Sequence, residues 1–167
     1  HVGSWEWEAE DDKVTWSEEL FRIFGLEPMA EAPPFKDHQA FYVPEDRVRL
    51  VEAVEECMRN SVPYDLEVRV TRTDGQLRHC VVRGIPEHGA DGSVNRLYGS
   101  LHDITGIRRA EERIAILSRM LDASPAGISI HDTDGRFAFA NSENVAMHGY
   151  DSLDEFLNVN LHDLDVP

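Results

Sequence analysis

Lysine is almost absent from this chain of 167 residues, which contains only Lys13 and Lys36. Sixteen basic residues against thirty-two acidic ones give a formal net charge of −16 at pH 7. A nucleic-acid surface needs clustered lysine and arginine to neutralise phosphates, and an anionic lipid surface attracts the same cations. The composition therefore argues against nucleic acid and membrane as partners, and solubility is the simplest interpretation of the acidity.

Cysteine is also scarce, since Cys57 and Cys80 are the only two. Two thiols form neither a disulfide framework nor a four-thiolate metal site, which favours a reducing compartment. No apolar run approaches the roughly 20 residues that span a bilayer, and no signal peptide opens the sequence. We therefore expect a cytoplasmic protein.

Clusters of metal-ligating or catalytic side chains are lacking as well. His79, Cys80 and His102 come nearest to a metal site, but adjacent residues of a strand point to opposite faces of a sheet. A nucleophile needs a base and an orienting group, and the strand pattern brings no such group together. The sequence predicts no metal site, no catalytic residue and no enzymatic activity for this chain.

What the chain does contain is two kinds of apolar periodicity. Trp5 and Trp7 alternate with acidic residues in a strand pattern, and a second strand follows the next acidic turn. Ser17 is positioned to cap a short helix that Gly25 ends. Apolar residues at helical spacing predict a longer helix from Pro44 to Asn60, with Asn60 closing it.

Alternation at every second residue then replaces the helical spacing. Strands are predicted over 64–70, 77–85 and 94–104, joined by turns at Asp74-Gly75 and Asp91-Gly92. Three consecutive antiparallel strands form a meander, whose apolar face needs a covering layer of helices. The pattern therefore predicts an α+β fold.

A second long helix is predicted over residues 106–123. Such a helix either packs against its own domain or forms a parallel coiled coil between two chains. Two heptads are marginal by themselves, so a dimer must draw on other surfaces too. We favour the homodimer, with a seam formed by residues spaced three and four apart: Ile107, Ala110, Ile114, Leu117 and Leu121.

The pattern of the N-terminus returns after this helix. Gly3 and Gly127, like Gly25 and Gly149, lie 124 residues apart. Both segments show a strand, an acidic turn, a strand and a short capped helix, with Asn141 as the second cap. The second copy stops before a long helix or a meander, so its hairpin edge is predicted to be exposed, mobile or paired with another molecule.

Short motifs run through the chain in a fixed order. The first set is Gly3-Ser4-Trp5-Glu6-Trp7, Trp16-Ser17-Glu18-Glu19-Leu20, Pro44-Glu45-Asp46-Arg47, Thr73-Asp74-Gly75, Arg83-Gly84, Asp91-Gly92, Gly99 and Asp103-Ile104-Thr105. Together these motifs resemble a PAS domain of prokaryotic sensor proteins, with a PAC-type meander. Residues 124–167 resemble the first half of another PAS domain through Asp134-Gly135, Asn141, Gly149-Tyr150 and Glu155-Phe156.

The resemblance implies a five-stranded antiparallel sheet in the order 2-1-5-4-3, with helices on one face. It also implies a PAS domain over residues 1–105, a linker or signalling helix over 106–123 and half of a second PAS domain over 124–167. Periodicity does not fix the strand order, which comes from the resemblance alone.

Some PAS domains bind haem, flavin or small acids between the sheet and the helices. A haem needs an axial ligand, usually a histidine on the long helix, and residues 44–60 contain none. A photoreactive flavin module carries a cysteine in an Asn-Cys-Arg-Phe motif, whereas Cys57 stands in Glu-Cys-Met-Arg. We expect neither haem nor photochemical flavin, and a small-molecule ligand stays open.

Apolar residues on the inner faces of the sheet and helices are candidates for a ligand pocket. They either enclose a cavity or fill it completely, and the sequence leaves both alternatives open. The candidates are Trp5, Trp7, Phe21, Phe24, Phe41, Leu66, Val68, Cys80, Val82 and Leu101.

The junction Asp103-Ile104-Thr105 is the candidate for signal relay. A carboxylate at Asp103 is placed to pair with Arg78 or Arg83 and so to join the helix to the sheet. The alternative is an ordinary strand end followed by a helix cap.

These features predict a sensory input module for signal transduction. It detects a signal or small ligand and transmits it through the linker helix to an output domain, for which a histidine kinase of a two-component system is the first choice. The alternatives are the input module of a diguanylate cyclase and a ligand-free dimerisation scaffold.

Overall fold

The computed structural model describes residues 1–29 and 31–164. The chain divides into two units, His1–Arg108 and Arg109–Pro167. Within the described residues, no helix is both long enough and apolar enough to cross a membrane.

The first unit is built on a five-stranded antiparallel sheet with the order β2-β1-β5-β4-β3. In this unit, a 3-10 turn over Gln39–Phe41 follows the short helix Phe35–His38. The predicted α+β architecture and strand order are confirmed. The elements in chain order are β1 (Val2–Glu8), β2 (Lys13–Trp16), α1 (Glu18–Phe24), α2 (Phe35–His38), α3 (Pro44–Asn60), β3 (Tyr64–Thr71), β4 (Leu77–His88), β5 (Val94–Asp103) and α4 (Thr105–Asp122).

The alternation of side chains along each strand decides which face of the sheet is covered. In β1, Trp5 and Trp7 pack against the core while Glu6 and Glu8 are exposed. The core lies between this face of the sheet and helices α1 and α3. Its largest fully buried side chains are Phe21, Phe24, Leu20, Leu50, Leu97 and Leu101.

Helix α1 approaches β1 closely because position 3 is a glycine. A Cβ on Gly3 would lie 2.7 Å from the Cβ of Leu20, which is closer than van der Waals contact allows. Any larger residue at position 3 would push α1 away from the sheet.

Two helix ends differ from the sequence prediction. Ser17 precedes α1, but its Oγ accepts a hydrogen bond from the Ser4 N–H at 3.0 Å instead of one from the helix. Helix α3 has the predicted bounds, yet Ser61, with a φ of 58°, takes the left-handed conformation expected of Asn60. Asn60 stays helical and its side chain donates to Glu56 Oε1 at 2.7 Å.

The second unit contains a two-stranded antiparallel sheet and two short helices. Its core is formed by Phe137, Ala140, Val145 and Phe156. No third strand joins the hairpin within the described part of the chain. The elements after α4 are β6 (Ser129–His131), β7 (Phe137–Ala140), α5 (Ser142–Met147), α6 (Leu153–Leu157) and a 3-10 turn (Leu161–Asp163).

Candidate functional site

Helix α4 begins directly after the last strand of the sheet, and a carboxylate joins its first turn to β4. Asp103 Oδ1 accepts a hydrogen bond from the Thr105 N–H at 2.9 Å, and Oδ2 lies 3.5 Å from Nη1 of Arg78. Arg83, the other arginine considered, pairs with Asp65 at 2.6 Å. Arg78 is therefore the arginine of β4 with which the Asp103 carboxylate pairs.

Backbone and hydroxyl groups strengthen the same junction. The buried Thr105 hydroxyl accepts a hydrogen bond from the His79 N–H at 2.8 Å and lies 3.4 Å from the His79 carbonyl. The Ile104 N–H donates to that carbonyl at 2.8 Å. A hydrogen bond contributes about 1 kcal/mol net, and removing one partner of a buried pair costs more. The start of α4 is thus fastened to β4, the middle strand of the meander.

A cluster of ion pairs holds α3 to β3. The nearly buried Asp46 carboxylate accepts hydrogen bonds from the N–H and Nε of Arg69, both at 2.8 Å, and from Nη1 of Arg49 at 3.2 Å. Burial raises the pKa of Asp46, but the hydrogen bonds and charge of Arg69 and the bond from Arg49 outweigh it, so the pKa lies below its ordinary value. Arg108 of α4 also pairs with Glu67 of β3, where both side chains are exposed and the contribution is small.

Sequence reasoning missed this cluster for a physical reason. Asp46 and Arg69 are 23 residues apart, and Glu67 and Arg108 are 41 apart. Only the placement of helices against the sheet brings such pairs together.

A small cavity of about 30 Å³ lies in the core between the sheet and the helices. One water needs about 10–15 Å³ by the same measure, so the cavity holds about two. The candidates that line it are Trp5, Trp7, Phe24, Val82 and Leu101. The candidates that pack in the surrounding core without lining it are Phe21, Phe41, Leu66, Val68 and Cys80.

Three polar aromatic residues outside the predicted set also line the cavity: His38, Tyr42 and Tyr64. Burial lowers the pKa of His38 to about 4, although a hydrogen bond to the Pro33 carbonyl at 3.3 Å opposes this shift. Burial raises the pKa of both tyrosines. The lining is therefore uncharged at neutral pH. The spacing of Phe35, His38 and Tyr42 by three and four is the helical signal that indicates an inward face.

Haem and flavin are too large for this cavity as it stands, because pockets for ligands of that size occupy about 300–1,000 Å³. Cys57 and Cys80 are completely buried, and burial raises the pKa of the Cys80 thiol to about 12, so it is protonated. Among residues 1–29 and 31–164, no three metal-ligating side chains converge. That the chain binds neither haem, nor photochemical flavin, nor metal stays a prediction.

The seam of α4 is exposed along most of its length. Ile114 is 67% exposed, and Ile107 and Leu117 are 54% and 51% exposed. Ala110 is also exposed, whereas Leu121 is half-buried. A contiguous exposed apolar stripe of this kind is typical of an interaction surface.

Asn141 fastens the C-terminal end of α4 within the second unit. Its completely buried side chain donates from Nδ2 to the carbonyls of Leu121 and Ala126, both at 2.9 Å. Its Oδ1 accepts from the N–H of Ile128 at 2.8 Å and of Asn144 at 3.0 Å. The sequence predicted only the bond to Asn144, as a helix cap, because the other three partners depend on the tertiary structure.

The sequence profile of the PAS fold matches residues 13–101, just over half of the chain. The chain therefore belongs to the PAS family, and the resemblance inferred from the motifs of its first 105 residues is confirmed. The resemblance of residues 124–167 stays a prediction.

Signalling proteins contain sequences similar to this chain. The chain is 26% identical over 153 residues to the Escherichia coli (strain K12) protein named "Probable diguanylate cyclase DgcE". The alignment covers 89% of this chain and 14% of that protein. The chain is also 29% identical over 119 residues to the "Blue-light-activated histidine kinase" of Brucella ovis. That alignment covers 71% of this chain and 23% of the relative. The chain thus spans less than a quarter of either relative.

A solved structure agrees with these matches. A sensory box histidine kinase/response regulator from Burkholderia thailandensis is 26% identical, with a TM-score of 0.56 over 72% of this chain and 89% of that chain. The chain contains a PAS sensory domain homologous to domains of histidine kinases and diguanylate cyclases.

Proposed function

We propose that this chain is the sensory input module of a larger signalling protein and passes a change in its sheet to α4. The observation that carries the proposal is the junction at which Asp103 and Thr105 bond the first turn of α4 to Arg78 and His79 of β4. A shift of β4 moves these partners and therefore acts on the start of the helix. The module itself performs no chemistry and works in the cytoplasm, in line with its free thiols.

The output domain in this proposal is a histidine kinase or a diguanylate cyclase. Both classes occur among the named relatives, whose sequences extend far beyond the part that this chain matches. A ligand-free dimerisation scaffold remains the alternative. It is favoured by a core cavity that is large enough for about two waters only.

The proposed organisation is a PAS domain over 1–105, a linker helix over 106–123 and the first half of a second PAS domain over 124–167. Hydrogen bonds that recur at an offset of 124 residues support it. The Ser17 N–H donates to the Ser4 carbonyl, and the Asn141 N–H donates to the Ile128 carbonyl. Strand β7 spans the residues that correspond to β2 at this offset. The alignment with the E. coli relative covers 153 residues, which is more than the first domain alone.

The proposal includes a homodimer whose helices α4 pack along the seam. Ile107 and Ile114 take one core position of the heptad, and Ala110 and Leu117 take the other. Exposure of Ile114 and Leu117 in the single chain leaves this apolar surface available. A parallel dimer would bury this surface, with the same residues of α4 from the two chains facing each other.

Coupling through the junction is tested with Asp103→Ala in the full chain. The change removes the acceptor of the Thr105 N–H and the partner of Arg78, so amide exchange at Thr105 and Arg108 becomes about tenfold faster. Hydrogen–deuterium exchange measures this, with Asp65→Ala as the control, because Asp65 also pairs with an arginine of β4, Arg83, but that pair is not part of the junction. Equal exchange at the two amides in both variants contradicts the coupling.

Dimerisation is tested with the double variant Ile114→Asp and Leu117→Asp. Two charges on the seam oppose packing of the helices, so the dimer dissociation constant rises at least a hundredfold. Sedimentation equilibrium measures it. The double variant Arg109→Asp and Glu112→Ala changes residues outside the seam and leaves the dimer in place. Unchanged sedimentation of the seam variant would show that α4 is not the interface.

A further inference from the structure

The hairpin turn between β3 and β4 contacts the C-terminal end of α1. Nη1 of Arg72 donates to the carbonyl of Arg22 at 2.8 Å and to that of Ile23 at 3.3 Å. The last carbonyls of a helix lack a full set of partners within the helix, so they depend on groups from elsewhere. Arg72 supplies such a group to α1, although it lies 50 residues from Arg22 in the sequence.

A threonine of the same turn fastens it further to α1. The Thr73 N–H donates to the Phe24 carbonyl at 3.2 Å, and the Thr73 hydroxyl donates to the Gly25 carbonyl. Gly25 has a φ of 78°, and a Cβ at this position would lie 2.8 Å from Thr73 Oγ1. The close approach of the turn to the end of α1 therefore depends on a glycine there.

Arg72 is also the first member of a series of polar contacts that runs along the turn. Its Nε lies 3.2 Å from Oδ2 of Asp74, whose Oδ1 accepts from the Gln76 N–H at 3.0 Å. Oε1 of Gln76 accepts from Nη2 of Arg78 at 3.1 Å, and Nη1 of Arg78 lies 3.5 Å from Oδ2 of Asp103. The contacts are thus continuous from the end of α1 to the carboxylate that bonds the first turn of α4.

The two arginines of this series are shielded from water. The side chains of Arg72 and Arg78 are 20% and 25% exposed, against 65% for Arg83 in its pair with Asp65. Salt and water screen shielded pairs less than exposed ones. Nε of Arg78 is buried and has no partner among the residues that the structure describes. Its contact to the carboxylate is also longer than the about 2.7–2.9 Å of a well-formed ion-pair bond, so a small movement of the guanidinium changes that contact.

We propose that this series of contacts, from Arg72 to Arg78, is a polar relay through which the C-terminal end of α1 and the first turn of α4 affect each other's stability. A displacement of the end of α1 moves Arg72, and the turn passes the displacement to Arg78 and Asp103. The relay rests on the proposed sensing function and extends it, because it identifies α1 as an element whose position reaches α4. Coupling between two sites is reciprocal, so a change at either end alters the other.

The relay is tested by amide exchange in the full chain with Arg72→Met, which removes the guanidinium and keeps an unbranched side chain. Exchange becomes about threefold faster at the Gly25 amide, at the end of α1, and at the Thr105 amide, at the start of α4. Arg83→Met is the matched control, because the same substitution on β4 lies outside the relay and leaves both amides unchanged. Unchanged exchange at Thr105 in Arg72→Met overturns the relay.

A double-mutant cycle separates the relay from a general loss of stability. Gln76→Leu removes the acceptor of Arg78 and keeps the backbone groups that bond within the turn. In this background, Arg72→Met still accelerates exchange at Gly25, which it affects locally, but no longer at Thr105. An effect on Thr105 that persists at full size would show that the coupling passes through the core, and it overturns the relay.

Failure of the relay is distinguishable from failure of the proposed sensing function. By reciprocity, Asp103→Ala also accelerates exchange at Gly25, by about threefold. If Asp103→Ala accelerates exchange at Thr105 but not at Gly25, and Arg72→Met leaves Thr105 unchanged, the junction stands and the relay is wrong. If Asp103→Ala leaves Thr105 itself unchanged, the junction and the relay both fail.

Discussion

Both units contain two short strands followed by a short helix, but they are stabilised by different means. In the first unit, β1, β2 and α1 share a core with three further strands and α3. In the second unit, β6, β7 and α5 pack with α6 and the short turn that follows it. Within the described part of the chain, every ion pair lies in the first unit.

Ser17 and Asn141, which the proposed repeat makes equivalent, show what this difference requires. Ser17 precedes α1 and makes a single side-chain bond, to Ser4. Asn141, 124 residues later, precedes α5 and makes four side-chain bonds. A unit with a large shared core tolerates a minimal side chain at this position, whereas a unit with a small core depends on one buried amide.

The largest effect expected from this comparison comes from Asn141→Ala and Ser17→Ala. Asn141→Ala removes the side chain that bonds the carbonyls of Leu121 and Ala126 and the N–H groups of Ile128 and Asn144. It therefore destabilises the second unit by about 3 kcal/mol. Ser17→Ala removes one bond and costs the first unit about 0.5–1 kcal/mol. Amide exchange measures each unit in the same sample, at strands β6 and β1.

Two further variants sharpen that comparison. Asn141→Asp keeps the oxygen that accepts from the N–H groups of Ile128 and Asn144 but loses the donor to the carbonyls of Leu121 and Ala126. It destabilises the second unit less than Asn141→Ala does only if the two accepted bonds contribute to stability. Equal losses for Asn141→Ala and Ser17→Ala would show that the two positions are equally dispensable, and the comparison between the units would be wrong.

A smaller effect separates the units by pH. The pKa of Asp46 is lower in the folded protein, so this carboxylate stabilises the first unit above its unfolded pKa of about 3.9. The stability disappears as the pH falls through the lower folded value. Asp46→Asn is expected to cost about 1–2 kcal/mol at pH 7 and to flatten the acid side of the stability curve. Unfolding free energy from pH 7 to pH 3 measures this.

The second unit provides the contrast for this titration. Asn141 carries no titrating group, so protection of β6 is expected to depend less on acid than protection of β3 does. Asp65→Asn is the matched control within the first unit, because the exposed Asp65–Arg83 pair contributes little. A stability curve with the same acid slope in wild type and Asp46→Asn would exclude Asp46 as the source of the pH dependence.

Local patterns predicted much of the fold. The spacing of apolar residues from Pro44 gave the bounds of α3, and alternation placed β3 within one residue of its observed end. Strand β4 continues to His88, three residues beyond its predicted end, because it pairs with β5 as far as Val94. Half of the ten predicted pocket residues line the core cavity. The inward direction of a side chain does not tell whether it reaches the cavity or packs behind the residues that line it.

The amino-acid sequence by itself determined where the strands and helices of this protein form, since backbone propensity and apolar spacing act over a few neighbouring residues. Through its motifs it also determined the family, and with it the strand order. The tertiary structure alone decided that Asp103 pairs with Arg78 and not Arg83, that Asp12 joins Trp7 to Phe35, and that Asn141 reaches Leu121. These contacts join distant segments, and their distances depend on how whole elements pack, which no local pattern encodes.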